Sequence, residues 1–463
     1  MPSFYSKTTE NEGQTPIYIC RPDDVDTVYE ALPESQVEMA KSLNFSGKAN
    51  RVVRLPAMGD VGDAVLFGAG PKTNDYMGAI RAGHLGGHLR EGSYRIETRP
   101  DDWDVDLMAI GWGLGAYKFD RYLPEPAKCP TLDISHYENA DELQSLVEAI
   151  HFGRDLINTP ANDMGPQALE DAARKLAKQY SATMETTTGQ ELLNNNFPMI
   201  HAVGRAAHEP PRLVEIDWGD DQNPRLAIVG KGITFDTGGV NIKSANSARL
   251  MKKDMGGAAH ALALAQMIMA NNLPIRLHVL VAIAENAVSA GAYRPGDILQ
   301  SRIGKTVEID NTDAEGRLVL GDALTRASED DPALIMDFAT LTGAARVALG
   351  PKLPPFFCNR EDLIAPVLKH GLKQIDPVWS MPLWDPYFAM LKSPIATMKN
   401  SGGGFAGCIT AALFLKQFVE DSPWMHFDVY GWNPSSQPGH PSGGEIFALR
   451  GLYDWIKAGG LSE

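Results

Sequence analysis

Cysteine is scarce in this chain, and so is any pattern that would use it. The four, Cys20, Cys129, Cys358 and Cys408, are scattered through 463 residues, and none forms a C-x-x-C pair. This excludes a disulfide framework and a zinc ribbon, and leaves reduced structural thiols in a cytoplasmic protein as the expectation. No stretch approaches the roughly 18 uninterrupted apolar residues of a membrane span. The first 13 residues are polar and acid-bearing, without the apolar centre of a signal peptide. Basic residues are the minority, 42 Lys and Arg against 58 Asp and Glu, for a net charge of −16. That balance gives no general pull toward phosphate backbones or anionic lipid, so neither nucleic acid nor membrane is an expected partner. Internal repeats and low-complexity tracts are absent too.

What is present is an ordinary globular composition, 44 % hydrophobic and 22 % charged, in a chain long enough for two or three domains. Up to residue 125 the texture is one of short apolar runs (51–55, 64–67, 107–110) separated by polar, Gly-rich links, which reads as a small α/β domain. Pro124, Pro126 and Pro130 mark a linker, and Leu143, Leu146, Val147 and Ile150 have the spacing of a helix leading out of it, so 126–152 is read as linker and interdomain helix. From 153 to 463 strand-like and helix-like segments alternate. Strands are expected at 226–229 (ending at Gly230), 277–284, 306–309, 333–339 and 424–429, and helices at 255–269 and 318–327. The class is therefore α/β: a small N-terminal domain, then a larger catalytic domain whose central mixed sheet is covered by helices. In such sheets ligands bind beyond the carboxyl ends of the strands.

Acids collect where that rule points. Lys231 and Asp236 follow the first of these strands in G-K-G-I-T-F-D-T-G-G. Asp254 opens the Ala-rich helix in M-K-K-D-M-G-G-A-A. Asp313, Glu315 and Arg317 follow the third strand in N-T-D-A-E-G-R-L. Carboxylates converging from separate loops repel one another unless cations neutralise them. Hard oxygen ligands suit Mg²⁺, Mn²⁺ or Zn²⁺, and two such ions together activate water and polarise a carbonyl or phosphoryl oxygen. Taken singly, Asp254 reads equally well as a helix N-cap and Lys231 as a surface charge. The residues alone thus point to a divalent-metal hydrolase without fixing its substrate. His84 and His88 have metal-binding spacing, but Gly86 and Gly87 between them disfavour a helix. The segment G-A-G-P-K-T at 68–73 has Pro71 where a phosphate loop needs glycine, and reads as a turn.

The three acid-bearing segments, with R-D-L-I-N-T-P at 154–160, Y-R-P-G-D at 293–297 and A-T-L-T-G at 339–343, resemble the leucyl aminopeptidase (cytosol aminopeptidase) family in order and spacing over roughly 149–431. Gly113–Tyr122 resembles the end of that family's smaller domain. The resemblance implies two divalent ions per subunit, Mn²⁺ or Zn²⁺, with Mg²⁺ or Co²⁺ also suited to the exchangeable site. Lys231, Asp236, Asp254, Asp313 and Glu315 would hold them, with Asp236 and Glu315 shared. It further implies that Lys243 stabilises the oxyanion, that Arg317 holds a bicarbonate ion serving as general base, and that Met251, Asn311, Thr340, Leu341 and Gly343 bind substrate. The implied reaction is release of the N-terminal residue, leucine-like or otherwise apolar, from peptides with a free N-terminus by attack of activated water, in a cytoplasmic homohexamer. Where the family commonly has a T-G-R-P-like segment, this chain has G-H-P-S-G-G-E at 439–445, which bears on the pocket floor. Two rival classes are a two-metal hydrolase of phosphate esters, favoured by Lys243 and Arg317, and a DNA-binding regulator, disfavoured by the charge.

Overall fold

The computed structural model describes residues 4–7, 13–73 and 76–461. Residues 1–3 and 8–12 of the polar N-terminal stretch lie outside the described residues. The chain divides into two compact units, Met1–His151 with Ser435–Ser442, and Phe152–Pro434 with Gly443–Glu463. Among the described residues no helix is long and apolar enough to cross a membrane.

The first unit is an α/β layer built on six strands, in the order Tyr5–Ser6, Pro130–Asp133, Gly92–Thr98, Thr15–Cys20, Ala64–Gly68, Val52–Leu55. All neighbours run parallel except the last pair. The apolar run at 107–110 lies inside a helix, Val105–Ala116, begun by Asp104, whose carboxylate accepts the Leu107 amide at 2.9 Å. The helix Gly83–His88 does form, and the His84 and His88 rings stack at 4.0 Å. His88 Nδ1 contacts the His84 carbonyl, and burial pulls the His84 pKa down to about 4. Lys72 of the G-A-G-P-K-T segment pairs with Asp102 at 3.7 Å.

The second unit is organised by an eight-stranded mixed sheet, in the order Trp379–Ser380, Pro355–Cys358, Trp424–Asp428, Leu334–Ala339, Arg225–Asp236, Arg276–Asn286, Arg212–Trp218, Thr183–Thr188. Its four inner strands are mutually parallel, from Trp424–Asp428 across to Arg276–Asn286. Two expectations about the strands change. The strand read as ending at Gly230 continues to Asp236, so Lys231 lies within it and Asp236 closes it. Glycine misleads here because Gly230 is a packing residue: a Cβ on it would meet Ala258 Cα at 2.7 Å. The segment Thr306–Glu308 pairs with Ile298–Gln300 and Met398–Lys399 in a separate three-stranded sheet, and is not a strand of the central one.

The Ala-rich segment forms a buried helix, Gly256–Ala270, preceded by a 3-10 turn, Met251–Met255. Small residues let this helix approach the sheet closely. A Cβ on Gly257 would lie 2.1 Å from the Phe338 carbonyl oxygen and 2.9 Å from the Lys231 amide nitrogen. That approach brings the turn carrying Asp254 to the ends of the strands Arg225–Asp236 and Leu334–Ala339. Asp254 does not cap the helix: it sits in the 3-10 turn, and Thr340 Oγ1 donates to its Oδ1 at 2.8 Å.

Candidate metal centre and active site

Three elements deliver the acids. Asp236 ends the central strand, Asp254 lies in the turn before the Ala-rich helix, and Asp313 and Glu315 lie in the loop before the helix Gly316–Ser328. One oxygen each of Asp236, Asp313 and Glu315 falls within 4.8 Å of the others. Lys231 Nζ lies 2.8 Å from Asp254 Oδ2 and 3.0 Å from Glu315 Oε1, and donates to the Thr340 carbonyl at 2.8 Å. Lys243 Nζ contacts Asp236 Oδ2 at 2.8 Å and pairs with Asp313. All six side chains named for ion binding and oxyanion stabilisation therefore share one site.

The electrostatics are those of concentrated charge away from water. Burial, reinforced by Asp236, pushes the Glu315 carboxyl up to about 7 against the pull of Lys231. Burial and Asp236 also raise Asp313, while Lys243 opposes them. Asp254 goes the other way: burial opposes its ionisation, but Lys231 outweighs that and holds it below the usual carboxylate range. Burial disfavours charge on Lys231 and Lys243, yet the surrounding acids raise both. Glu315 Oε2 is buried with no hydrogen-bond donor among the described residues. Three clustered carboxylates, one with an unmet buried oxygen, form a donor set suited to hard divalent cations.

Arg317, one residue into the helix after Glu315, is 8 % exposed, and burial lowers its pKa to about 10. Its guanidinium lies 6.0 Å from the Phe414 ring centroid and makes no ion pair among the described residues. The residues named for substrate binding divide by position. Thr340 is buried against Asp254, and Met251 lies in the same 3-10 turn as Asp254. The Leu341 amide donates to Asp428 Oδ1 at 3.1 Å, and Gly343 opens the helix Gly343–Leu349. Asn311 braces the loop, its Oδ1 accepting the Asp313 amide at 2.9 Å.

Sequence reasoning missed the residues that hold the acids in place. Asn286 Nδ2 donates to Asp236 Oδ1 at 2.8 Å and to the Thr312 carbonyl at 3.0 Å. Tyr293 Oη donates to the same carbonyl at 2.8 Å. Asn400 accepts the Asp310 amide at 2.8 Å and donates to the Asn311 carbonyl at 2.7 Å. Asp428 accepts the Leu341 and Thr342 amides and the Thr342 hydroxyl. Tyr293 was visible in Y-R-P-G-D. The two asparagines carry no spacing signal, because their partners are distant in sequence. Lys253 was passed over beside Asp254, yet it is 3 % exposed, and burial brings its pKa down to about 8.

Comparison with known proteins identifies the family. The profile of the cytosol aminopeptidase family catalytic domain matches residues 151–453, and that of the M17 aminopeptidase N-terminal domain matches 15–132. A protein of Syntrophotalea carbinolica described as probable cytosol aminopeptidase is 39 % identical over 423 residues, 85 % of each chain. The crystal structure of cytosol aminopeptidase from Coxiella burnetii superposes with a TM-score of 0.91 at 41 % identity, covering 97 % of this chain and 98 % of that one. The bottromycin maturation enzyme BotP, in complex with Mn, gives a TM-score of 0.87 at 30 % identity, covering 97 % and 100 %. The chain belongs to the cytosol aminopeptidase family of peptide-bond hydrolases.

Proposed function

We propose that this protein is a two-metal aminopeptidase that releases the N-terminal residue from peptides. The observation that carries the reading is the convergence of the buried Asp236 and Glu315 with the half-buried Asp313, with Asp254 and Lys231 completing the set. These five side chains would hold two divalent ions, and manganese is supported by the Mn complex of the similar BotP. When bound, such ions supply Lewis acidity toward a carbonyl oxygen and bring a water toward ionisation near neutral pH. Lys231 carries its proton while it is the cation among Asp254, Glu315 and Asp236; as a ligand it is a neutral amine, since a neighbouring cation disfavours its charge.

The chain's own groups do the rest. Lys243, kept protonated by Asp236 and Asp313, donates to the oxyanion that forms when a peptide carbonyl is attacked. Arg317, a buried cation without an ion pair among the described residues, is suited to hold a small anion, and bicarbonate is the one its family position suggests. Thr340 fixes Asp254 through its hydroxyl and Lys231 through its carbonyl, so one residue registers the substrate wall against the metal ligands. A cytoplasmic homohexamer is the assembly the family resemblance supports. The test is mass-spectrometric: a tripeptide such as Leu-Gly-Gly is incubated with Mn²⁺-loaded protein. Ordered release of the first residue, abolished by N-acetylation, is the expected result. Internal cleavage, or equal cleavage of the acetylated peptide, would refute it.

A further inference from the structure

Among the described residues, two cations beside Thr340 lack the close carboxylate partners that Lys231 and Lys243 have. Lys253 is almost fully buried, makes no side-chain hydrogen bond among the described residues, and its nearest ion-pair oxygen, Asp254 Oδ1, is 3.9 Å away. That oxygen already accepts Thr340 Oγ1. Arg346 likewise makes no ion pair or side-chain hydrogen bond among the described residues. Both cations instead lie over one aromatic ring, that of Tyr430, with Lys253 Nζ at 5.2 Å and Arg346 Cζ at 4.5 Å from its centroid. A cation–π contact compensates a charge far less than a carboxylate does.

Their position ties them to the substrate wall. A Cβ on Gly431, next to Tyr430, would meet Thr340 Cγ2 at 3.2 Å and the Lys253 carbonyl at 3.6 Å. A Cβ on Gly343 would meet the Arg346 guanidinium at 3.6 Å. Thr340 and Gly343 are two of the residues that the family resemblance implies bind substrate, and Met251, a third, opens the turn that carries Lys253. The neighbouring acid, Asp428, lines a small cavity with Arg346 and Tyr430, but its oxygens are committed to the Leu341 and Thr342 amides and the Thr342 hydroxyl. This wall therefore holds two positive charges and an aromatic face, and the carboxylates beside them among the described residues, Asp254 and Asp428, are already committed to other partners.

We infer that Lys253, Arg346 and Tyr430 set the first-residue preference of this enzyme, and that the preferred first residue is acidic. The inference rests on the aminopeptidase proposal and replaces the apolar preference implied by family resemblance. A glutamate or aspartate side chain supplies the carboxylate that Lys253 and Arg346 lack, while Tyr430 packs against its methylenes. An N-terminal lysine or arginine would add a third cation to the same wall and be rejected.

The experiment compares kcat/KM for glutamyl-, aspartyl-, leucyl- and lysyl-p-nitroanilide in the Mn²⁺-loaded wild type, Lys253→Met, Arg346→Gln and Arg346→Glu, with melting temperatures for each. Arg346 is exposed, so its variants test the idea even if the buried Lys253→Met fails to fold. In the wild type, glutamyl is expected to equal or exceed leucyl, with lysyl slowest. Each neutralising substitution should lower the glutamyl-to-leucyl ratio by about tenfold or more, through KM, and Arg346→Glu should raise lysyl relative to glutamyl. A wild type that prefers leucyl by more than tenfold overturns the inference, as does a ratio unmoved by the variants. So does a ratio that stays fixed while discrimination between dipeptides and their C-terminal amides is lost, since the cations would then read the substrate's terminal carboxylate. No release from any substrate would instead overturn the aminopeptidase proposal, and this inference with it.

Discussion

Gly316→Ala is a one-atom perturbation aimed at Lys231, a metal ligand in the proposed centre. A Cβ at Gly316 would lie 2.7 Å from Lys231 Cε and 2.8 Å from both Cδ and Nζ. Carbon–carbon contacts relax to about 3.5–4.0 Å, so the lysine tail must retreat by about 1 Å. Its end is not free to swing, because Nζ is held by the Thr340 carbonyl, Asp254 and Glu315. Misplacing a catalytic constellation by about 1 Å costs on the order of 10²-fold in rate. The fold should suffer less. Overpacking costs about 1–3 kcal/mol, and alanine in place of a helical glycine returns about 1 kcal/mol of it. The expected outcome is a fall of about a hundredfold in kcat/KM at saturating Mn²⁺ and weaker Mn²⁺ binding by calorimetry, with a melting temperature within a few degrees of wild type. Activity within about threefold of wild type would refute the placement of Lys231 as a ligand.

Three further outcomes are expected. Arg154 and Glu445 are a fully buried pair joined at 2.8–3.1 Å, so Arg154→Ala should cost about 3–5 kcal/mol in urea unfolding, while Arg154→Met with Glu445→Leu recovers much of it; equal losses in both would contradict this. Burial disfavours a charged His426, but Asp337, 2.7 Å from Nδ1, outweighs it and raises the ring's pKa above its ordinary 6.5. That contribution to stability is complete below about 6.5 and is lost as pH rises through the raised folded value, so the melting-temperature gap between metal-free wild type and His426→Gln should narrow from about pH 6 to pH 9; a widening gap would contradict it. Chelation should lower the melting temperature, because clustered carboxylates lose their counter-ions, and restored Mn²⁺ should raise it in a concentration-dependent way; a temperature indifferent to metal would count against the centre.

The site was more legible in the sequence than the scaffold that holds it. Asp313, Glu315 and Arg317 fall in one contiguous segment, and Lys231 and Asp236 in another, so local motifs sufficed to name them. The two α/β layers followed from alternating apolar segments. Strand limits failed where glycine served packing rather than turning, as at Gly230 in the strand that runs on to Asp236. The sheet containing Thr306–Glu308 was not readable either, since its partner Met398–Lys399 is some ninety residues away. The bracing groups Asn286, Asn400 and Asp428 act across long sequence separations, and a single sequence gives no signal for them. Lys253 carries no signal of its own in the sequence: nothing local distinguishes it from Lys252, yet it is buried and lies over the Tyr430 ring.

The most direct measurement is metal content against activity. Wild type and Asp313→Ala would be stripped, titrated with Mn²⁺, and assayed for both bound metal per chain and release of the N-terminal residue. Two ions per chain in the wild type, with activity rising as the second binds, and one ion with activity lost in Asp313→Ala, is the expected result. Full activity in the metal-free protein, or in Asp313→Ala, would contradict a two-metal centre built on these side chains.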